Sequence, residues 1–375
     1  MAGVGAVLSA DRASGSLAAR PADLRPMIPG LRRLARSLLR PPPFFSEPEA
    51  PPAPPPLSPT LVIPVKNDAE GLSRLLSQAR RGRFARVVVV DDGSEPPMAD
   101  LLDLSDVTLL RNDVSRGGGV ARNRGLSVVE TDYVLFFDAD DRLCEAELDS
   151  LLADLGESEG FDLCLFKYAD SRVARAGGWG QPDWDERFWT MAGLGSEVLC
   201  DVPRDARPIL AKIANYPWNK IFRTGFLRAH GIGCAESTVH QDIPLHWLSL
   251  IAADRMLVSD RICAFHEISA GSNQLHNRKG AERLQVFDVL DPVARTAHAA
   301  GEEWSRSLLA FVLGLGDWIR GRLDPAHLDA FDEAERGFLA RQAEPWLDEI
   351  LAADPDLARR ISSRAALSLP ERDTP

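Results

Sequence analysis

The residues Asp138-Ala139-Asp140-Asp141 place three carboxyl groups within one short stretch of the chain. Carboxylates this close repel one another unless a cation or hydrogen-bond donors offset their charge. Hard divalent cations prefer oxygen ligands, so an Asp-x-Asp sequence at a strand end suits Mg²⁺ or Mn²⁺, with phosphate and water completing the shell. An exposed acidic turn would have the same composition, and both interpretations stay open for this stretch alone.

An alternation of short apolar runs and amphipathic stretches begins at Thr60. We predict strands at Leu61–Val65, Val87–Val90, Val107–Leu110, Tyr133–Phe137 and Phe161–Phe166, and helices at Leu72–Arg80, Gly118–Val129 and Glu145–Leu155. This pattern favours an α/β fold with a mainly parallel sheet flanked by helices. Ligands bind such sheets beyond the carboxyl ends of the strands, so polar residues that follow the strands should meet at one edge.

Three polar segments directly follow predicted strands: Lys66-Asn67-Asp68, Asp91-Asp92-Gly93-Ser94 and the acidic stretch described above. A fourth segment, Gly117-Gly118-Gly119, precedes a predicted helix. Glycines allow close approach to the backbone, and N–H groups at a helix N-terminus favour anions such as a diphosphate. A glycine turn that merely starts a helix is the equal alternative.

In order and spacing these segments resemble the family-two glycosyltransferases. The resemblance covers roughly residues 60–270 and rests on four motifs: Leu61–Asp68, Val89–Ser94, Gly117–Gly125 with Ala121-Arg122-Asn123, and Phe136–Asp141. It implies a GT-A fold and inverting transfer of a sugar from a nucleoside diphosphate sugar to an acceptor hydroxyl. The Gln-x-x-Arg-Trp sequence of the family's processive synthases is absent, which favours single additions.

The resemblance also implies roles for individual residues. Donor-binding positions are expected at Pro64, Lys66, Asp68, Asp91, Asp92, Gly118, Arg122, Asn123 and Asp138. The family more often has Tyr at position 66 and Glu at position 68. A metal ion, Mn²⁺ or Mg²⁺, is expected on Asp138 and Asp140, with Asp141 in support and His266 as a further candidate ligand.

The family places its catalytic base after a Trp-Asn-Lys segment, on a carboxylate that opens a helix. Here Trp218, Asn219 and Lys220 form that segment and are expected to contact the acceptor, while Asp242 matches the base. A buried position is the alternative for Trp218. The family usually reads Glu-Asp where this chain reads Gln241-Asp242. A carboxylate at a helix start also serves as an ordinary N-cap, which is the alternative role for Asp242.

Composition narrows the classes of partner and location. With 43 basic and 55 acidic residues the formal net charge is -12, which argues against nucleic-acid binding. The five scattered cysteines form no C-x-x-C pair, and no apolar run approaches the roughly 20 residues of a membrane span. We therefore expect a cytoplasmic protein.

The chain is predicted to have three parts. Residues 1–58 form a poorly ordered segment with a proline-rich linker and a basic amphipathic helix at residues 28–40, which either contacts a membrane peripherally or docks on its own domain. Residues 59–270 form the catalytic domain, and residues 271–375 a helical region. Within the catalytic domain, Trp179, Trp184 and Trp189 suit either an acceptor surface or a core.

Two other functions remain compatible with the sequence. A nucleotidyltransferase shares a similar sheet and metal site, and a protein that binds sugar nucleotides without catalysis would keep the donor residues alone. The acceptor is expected to be a glycan or a lipid-linked sugar. The sugar, the nucleobase and the oligomeric state do not follow from the sequence.

Overall fold

A computed structural model of the protein describes residues 55–195, 198–268 and 278–369. The predicted amphipathic helix at residues 28–40 and most of the predicted linker lie outside these ranges and stay predictions. Within the described ranges, no helix combines the length and the apolar character that a membrane crossing requires.

One nine-stranded sheet forms the centre of the described structure. Its strands are β1 (Thr60–Val65), β2 (Arg86–Asp92), β3 (Thr108–Asn112), β4 (Tyr133–Phe136), β5 (Arg142–Leu143), β6 (Leu163–Asp170), β7 (Cys200–Asp201), β8 (Lys220–Arg223) and β9 (Met256–His266). The order is β3-β2-β1-β4-β8-β6-β9-β5, with β7 paired to β9. All five predicted strands are present, with bounds shifted by a few residues.

The sheet is parallel in one half and mixed in the other. Strands β3, β2, β1 and β4 run parallel, whereas β8 is antiparallel to both β4 and β6. Strand β8 follows the stretch after residue 170, where the strand–helix alternation weakens. Parallel neighbours need a crossover connection, so the weaker alternation coincides with the antiparallel entry of β8, while β9 again pairs parallel with β6.

Fourteen α-helices flank the sheet or follow it within the described residues. They are α1 (Ala69–Ala79), α2 (Met98–Leu101), α3 (Gly118–Ser127), α4 (Glu145–Glu157), α5 (Ser171–Arg175), α6 (Asp183–Met191), α7 (Arg207–Leu210), α8 (Thr224–Ala229), α9 (Ile243–Ala252), α10 (Val286–Ala300), α11 (Glu302–Arg320), α12 (Leu328–Ala343), α13 (Leu347–Ala353) and α14 (Pro355–Ala365).

Each face of the sheet covers its own hydrophobic core. Along β1, Val62 points into one core while Leu61 and Ile63 point into the other, as the two-residue period of a strand requires. The first core continues through α9 to the C-terminal helices α10–α14, so the predicted helical region packs on the catalytic sheet. The apolar stripe on α11, which includes Leu308, belongs to this core, as predicted.

Candidate active site

The acidic stretch lies just beyond the carboxyl end of β4, at the sheet edge where ligands of α/β folds bind. Oxygen atoms of Asp138, Asp140 and Asp141 lie within 4.8 Å of one another. Asp138 and Asp140 are half-buried, whereas the carboxylate of Asp141 is buried. We call these three residues the carboxylate cluster, and their oxygen atoms are the donor type that Mg²⁺ and Mn²⁺ prefer.

Asp141, which was predicted to support the cluster, is hydrogen-bonded at the end of β9. Its Oδ1 atom lies 2.9 Å from Nδ1 of His266 and accepts from the backbone N–H of Glu267 at 2.8 Å. Burial raises the pKa of Asp141 to about 7, with Asp140 and Asp138 adding to the effect and His266 opposing it. Burial is the main cause of this rise and the neighbouring carboxylates add to it, and a bound cation would favour the ionised form.

His266 lies beside the carboxylate cluster, and its role as a metal ligand stays a prediction. It is not among the three residues whose ligand atoms lie within 4.8 Å of one another, and its Nδ1 atom faces Asp141 instead. Burial lowers the pKa of His266, but the hydrogen bond and the charge of Asp141 outweigh burial and raise it. The structure therefore makes His266 a partner that orients a cluster carboxylate.

Helix α1 begins directly over the cluster. The Oδ1 atom of Asp68 caps this helix by accepting from the N–H of Gly71 at 2.9 Å. A Cβ atom added to Gly71 would lie 2.6 Å from the carbonyl oxygen of Ala139, so only glycine fits here. Arg74, which the sequence did not single out, donates to the carbonyl oxygen of Asp140 at 3.1 Å.

The other residues of the first predicted donor loop differ in exposure. Lys66 is exposed and Pro64 is half-buried. Asn67 has a left-handed backbone with φ of 55°, and its N–H donates to the hydroxyl of Ser94 at 3.0 Å. The loops after β1 and β2 are thereby joined at the same sheet edge, which keeps Lys66 and Asp68 near the cluster side of the sheet.

Asp91 and Asp92 are buried and already hydrogen-bonded within the protein. Asp91 accepts from the N–H groups of Ser94 at 2.8 Å and Met98 at 3.1 Å, and pairs with Arg111. Asp92 accepts from four donors, which lie on Asn112, Ser115, Arg116 and Gly117. Burial opposes ionisation of both groups, but these donors outweigh burial and lower both pKa values.

A carboxylate has about four acceptor positions, so Asp92 has none left for a nucleobase. The predicted base contact is therefore corrected for Asp92, which instead shapes the loop before α3. The sequence did not single out Asn112 and Ser115, whose side chains donate to Asp92. The signal was present, because Arg111-Asn112-Asp113 directly follows the predicted third strand in the same way as the other polar segments.

The side chain of Gln241 packs against the glycine turn at the start of α3. Its Oε1 atom accepts from the N–H of Gly119 at 2.5 Å, and its Nε2 atom donates to the carbonyl oxygen of Ser237 at 2.9 Å. Gly117 has φ of 95°, which favours glycine. Gly118 lies between Gly117 and Gly119 in the chain. A Cβ atom added to Gly118 would lie 3.2 Å from Oε1 of Gln241.

Asn123 has a structural role. Its side chain donates to the carbonyl oxygen of Cys234 at 2.8 Å and accepts from the N–H of the same residue at 2.9 Å. This two-way bond ties α3 to the segment before α9. Both ends of the Asn123 amide are engaged within the protein, which gives this residue a bracing role, and its donor contact stays a prediction.

Arg122 links the two halves of the site. Its guanidinium group is buried and pairs with Asp138 of the cluster. Burial lowers the pKa of Arg122, but the charges of Asp138 and Asp242 contribute to raising it above its usual value. Arg122 thus pairs directly with the donor-side carboxylate and acts on the predicted base through its charge.

Asp242 stands at the start of α9 and makes no side-chain capping bond to that helix. This geometry disfavours the plain N-cap role. Burial raises the pKa of Asp242, while the positive charges of Arg122 and Lys220 oppose that rise. A carboxylate with a raised pKa is a better proton acceptor, as a general base requires.

The Trp-Asn-Lys segment lies beneath the site. Trp218, Asn219 and Lys220 are each 0–1% exposed, so their predicted contact with an acceptor is corrected. Trp218 stacks on Tyr216 with ring centroids 4.5 Å apart and contacts the ring of His266 at 5.5 Å. Residue types alone do not reveal which face a side chain takes.

Lys220 is the most unusual member of that segment. Its ammonium group donates to the carbonyl oxygen of Tyr216 at 2.5 Å and to Oδ1 of Asn219 at 2.6 Å. Burial lowers the pKa of Lys220 to about 7, although the charges of Asp242 and Asp185 oppose this effect. The positive charge of Lys220 in turn lowers the pKa of Asp242 and so opposes the effect of burial on that group.

Residues 60–191 match the family described as "Glycosyl transferase family 2". The matched segment runs from β1 to the end of α6. It contains the carboxylate cluster and Arg122, and it ends before Asp242 and His266.

Relatives by sequence are glycosyltransferases that match part of the chain. A pre-mycofactocin glycosyltransferase of Mycobacterium tuberculosis is 43% identical over 96 residues, or 25% of this chain and 20% of that protein. A PGL/p-HBAD biosynthesis glycosyltransferase of Mycobacterium bovis is 33% identical over 113 residues, or 28% of this chain and 44% of that protein. The chain thus spans less than half the length of either relative.

The fold is shared over most of the chain. The structure of S. aureus TarS 1-349 in complex with UDP-GlcNAc has a TM-score of 0.62 and 19% sequence identity, covering 84% of this chain and 93% of that one. This likeness confirms the expected α/β fold of GT-A type, with a central sheet flanked by helices and a helical C-terminal region.

Proposed function

Residues 60–191 belong to glycosyltransferase family 2 and lie within a GT-A fold, and from this premise we propose an inverting, non-processive glycosyltransferase. It moves a sugar from a nucleoside diphosphate sugar to an acceptor hydroxyl in glycan synthesis. One observation carries the proposal: buried Arg122 pairs with Asp138 and also interacts with the charge of Asp242. The same cation thereby pairs with a donor-side carboxylate and acts electrostatically on a candidate base.

The carboxylate cluster fits a divalent cation. Its three residues offer oxygen atoms only, and these lie within 4.8 Å of one another, where a cation would offset their mutual repulsion. Asp138 and Asp140 would hold Mn²⁺ or Mg²⁺ with Asp141, while His266 orients Asp141. When bound, such an ion neutralises the diphosphate as it departs.

Asp242 takes the proton in the proposed reaction. The acceptor oxygen forms a bond to the anomeric carbon of the donor, the bond from that carbon to the diphosphate oxygen breaks with its electron pair, and the hydroxyl proton passes to an oxygen of Asp242. The raised pKa of Asp242 favours this transfer. Lys220 and Arg122 keep enough positive charge nearby for Asp242 to ionise again after the product leaves.

The donor contacts are proposed at the edge formed by the loops after β1 and β4. Lys66 is the exposed cation of that edge, and Asp68 and Gly118 lie on the starts of α1 and α3. Asp91 and Asp92 support this edge through their internal hydrogen bonds. The cytoplasmic location stays a prediction.

A thermal-shift screen tests the proposal. We expect one class of nucleoside diphosphate sugar to raise the Tm, and Mn²⁺ or Mg²⁺ to increase that rise, because ligands of the native state stabilise it by mass action. Asp140→Ala should abolish the metal-dependent part. Asp242→Asn should keep donor binding and lose roughly 10²–10⁴-fold in transfer rate.

Exposed Asp329 on α12 provides the matched controls. Asp329→Ala matches Asp140→Ala and Asp329→Asn matches Asp242→Asn, because each pair removes one carboxylate charge in the same way. Product analysis separates the alternatives. Release of a nucleoside diphosphate with a glycosylated product supports the proposal, release of pyrophosphate from a nucleoside triphosphate indicates a nucleotidyltransferase, and donor binding without turnover indicates a non-catalytic protein.

A further inference from the structure

The three tryptophans between residues 170 and 205 divide into two groups. Trp189 is 0% exposed and belongs to the core, whereas Trp179 is 63% exposed and Trp184 is 47% exposed. Large aromatic rings at this exposure are unusual, because burial of their apolar area is favourable. A cluster of exposed apolar side chains on a folded protein marks a binding surface more often than chance.

The first exposed tryptophan is joined to the candidate active site by a short chain of contacts. Trp179 stacks on Phe265 of β9 with ring centroids 5.8 Å apart and an angle of 24° between the ring planes. Phe265 immediately precedes His266, whose Nδ1 atom faces Asp141. Trp179 therefore packs against β9, the strand that also carries His266.

Hydrogen bonds hold this region in place against the end of β9. The N–H of Asp170 donates to the carbonyl oxygen of Gly180 at 3.0 Å, and the N–H of Ile268 donates to the hydroxyl of Ser171 at 2.9 Å. Arg175 donates to the carbonyl oxygen of Ile268 at 3.2 Å. A surface fixed in this way loses little conformational entropy when a ligand binds.

The ring of Trp184 is covered by the guanidinium group of Arg172, which is itself paired with a carboxylate. The guanidinium carbon of Arg172 lies 4.9 Å from the ring centre of Trp184, and the same guanidinium group pairs with Asp170 at 2.6 Å. The positive charge of Arg172 is thereby balanced. Exposed Asp183 and Arg175 carry opposite charges at the rim.

This chemistry suits one kind of occupant. Flat apolar rings with balanced charges and a polar rim match a neutral saccharide, whose ring faces carry C–H groups and whose edges carry hydroxyls. We propose that Trp179 and Trp184 form an acceptor platform that holds a neutral saccharide chain beside the carboxylate cluster. The assignment rests on the proposed function and gives the acceptor a chemical class.

Binding of defined sugars to the full-length protein tests the platform. The probes are tetrasaccharides of β-1,4-glucose, α-1,4-glucose, β-1,4-N-acetylglucosamine and α-1,6-mannose, measured by titration calorimetry. At least one should bind saturably, and Trp179→Ala and Trp184→Ala should each weaken it roughly tenfold, because each removes a stacking face. Trp179→Phe keeps a ring and should retain most of the affinity.

Leu101→Ala on α2 is the control, since Leu101 is 47% exposed and its truncation also removes exposed apolar surface. All variants should keep the thermal shift with the donor, which separates failure of the platform from failure of the proposed function. The platform is overturned if no tetrasaccharide binds the wild-type protein, or if both alanine variants bind as tightly as wild type. A dimer that Trp179→Ala dissociates would also overturn it, because a second copy would then cover the rings.

Discussion

The buried guanidinium group of Arg122 pairs with the carboxylate of Asp138 at the end of β4. Arg122 lies on α3, and its charge also acts on Asp242 at the start of α9. The two carboxylates come from distant parts of the chain, yet one cation serves both. The electrostatic balance of the carboxylate cluster therefore depends on Arg122.

Replacing Arg122 tests that balance. Arg122→Met should destabilise the protein by about 3 kcal/mol, because it leaves Asp138 unpaired beside Asp140 and Asp141. Mn²⁺ should then raise the Tm of the variant more than that of the wild type, since the ion replaces the lost positive charge. Arg122→Lys keeps the charge and should show a smaller effect. An equal response of all three proteins to Mn²⁺ would contradict the role assigned to Arg122.

The pH dependence of transfer should report on Asp242. Its pKa is raised by burial, so the base becomes protonated, and the rate falls, at a higher pH than for an ordinary carboxyl group. Lys220→Met removes a positive charge that holds this pKa down, and the acid limb of kcat/KM should move to still higher pH. Exposed Lys279 gives the control variant Lys279→Met. An acid limb that stays in place in Lys220→Met would exclude coupling between Lys220 and Asp242.

Local patterns were enough to predict the strands and the four motifs, because each depends on residues close in sequence. The pairing of His266 with Asp141 depends on β9 lying beside β5, which no local pattern encodes. The sequence likewise left open whether Trp218 contacts an acceptor or is buried, and the structure buries it. Tertiary packing decides which face of a strand or turn meets solvent, and aromatic residues suit either side.

Gln241 illustrates the same limit at a position where the chain departs from its family. Substituting Glu, the family's usual residue, would place a carboxylate opposite the carbonyl oxygens of Ser237 and Thr238, which now accept from the Gln241 amide. Gln241→Glu should therefore cost about 1–3 kcal/mol of stability at neutral pH. The cost should shrink as the pH is lowered, because a protonated carboxyl group can donate again.

Thermal unfolding of Gln241→Glu across pH 5–8 measures this effect. The matched control is Gln285→Glu, since the side-chain oxygen of Gln285 accepts from the N–H of Thr238 at 2.9 Å, and a carboxylate oxygen can accept in the same way. Equal Tm values for wild type and Gln241→Glu at every pH would show that the amide donor is dispensable.

Gly71 provides the most direct test that α1 must sit on the carboxylate cluster. In Gly71→Ala the new Cβ atom would overlap the side chain of Asp68 and lie 2.6 Å from the carbonyl oxygen of Ala139, so either the helix or the acidic stretch must move. We expect a loss of about 1–3 kcal/mol in stability, as for other overpacked sites, together with weaker donor binding.

Gly314→Ala on α11 is the matched control, because an added Cβ atom there meets nothing within 4 Å. That helical substitution should leave donor binding unchanged and the stability equal or higher by up to about 1 kcal/mol. If Gly71→Ala bound the donor as tightly as Gly314→Ala, the close approach of α1 to Ala139 would have no part in shaping the site.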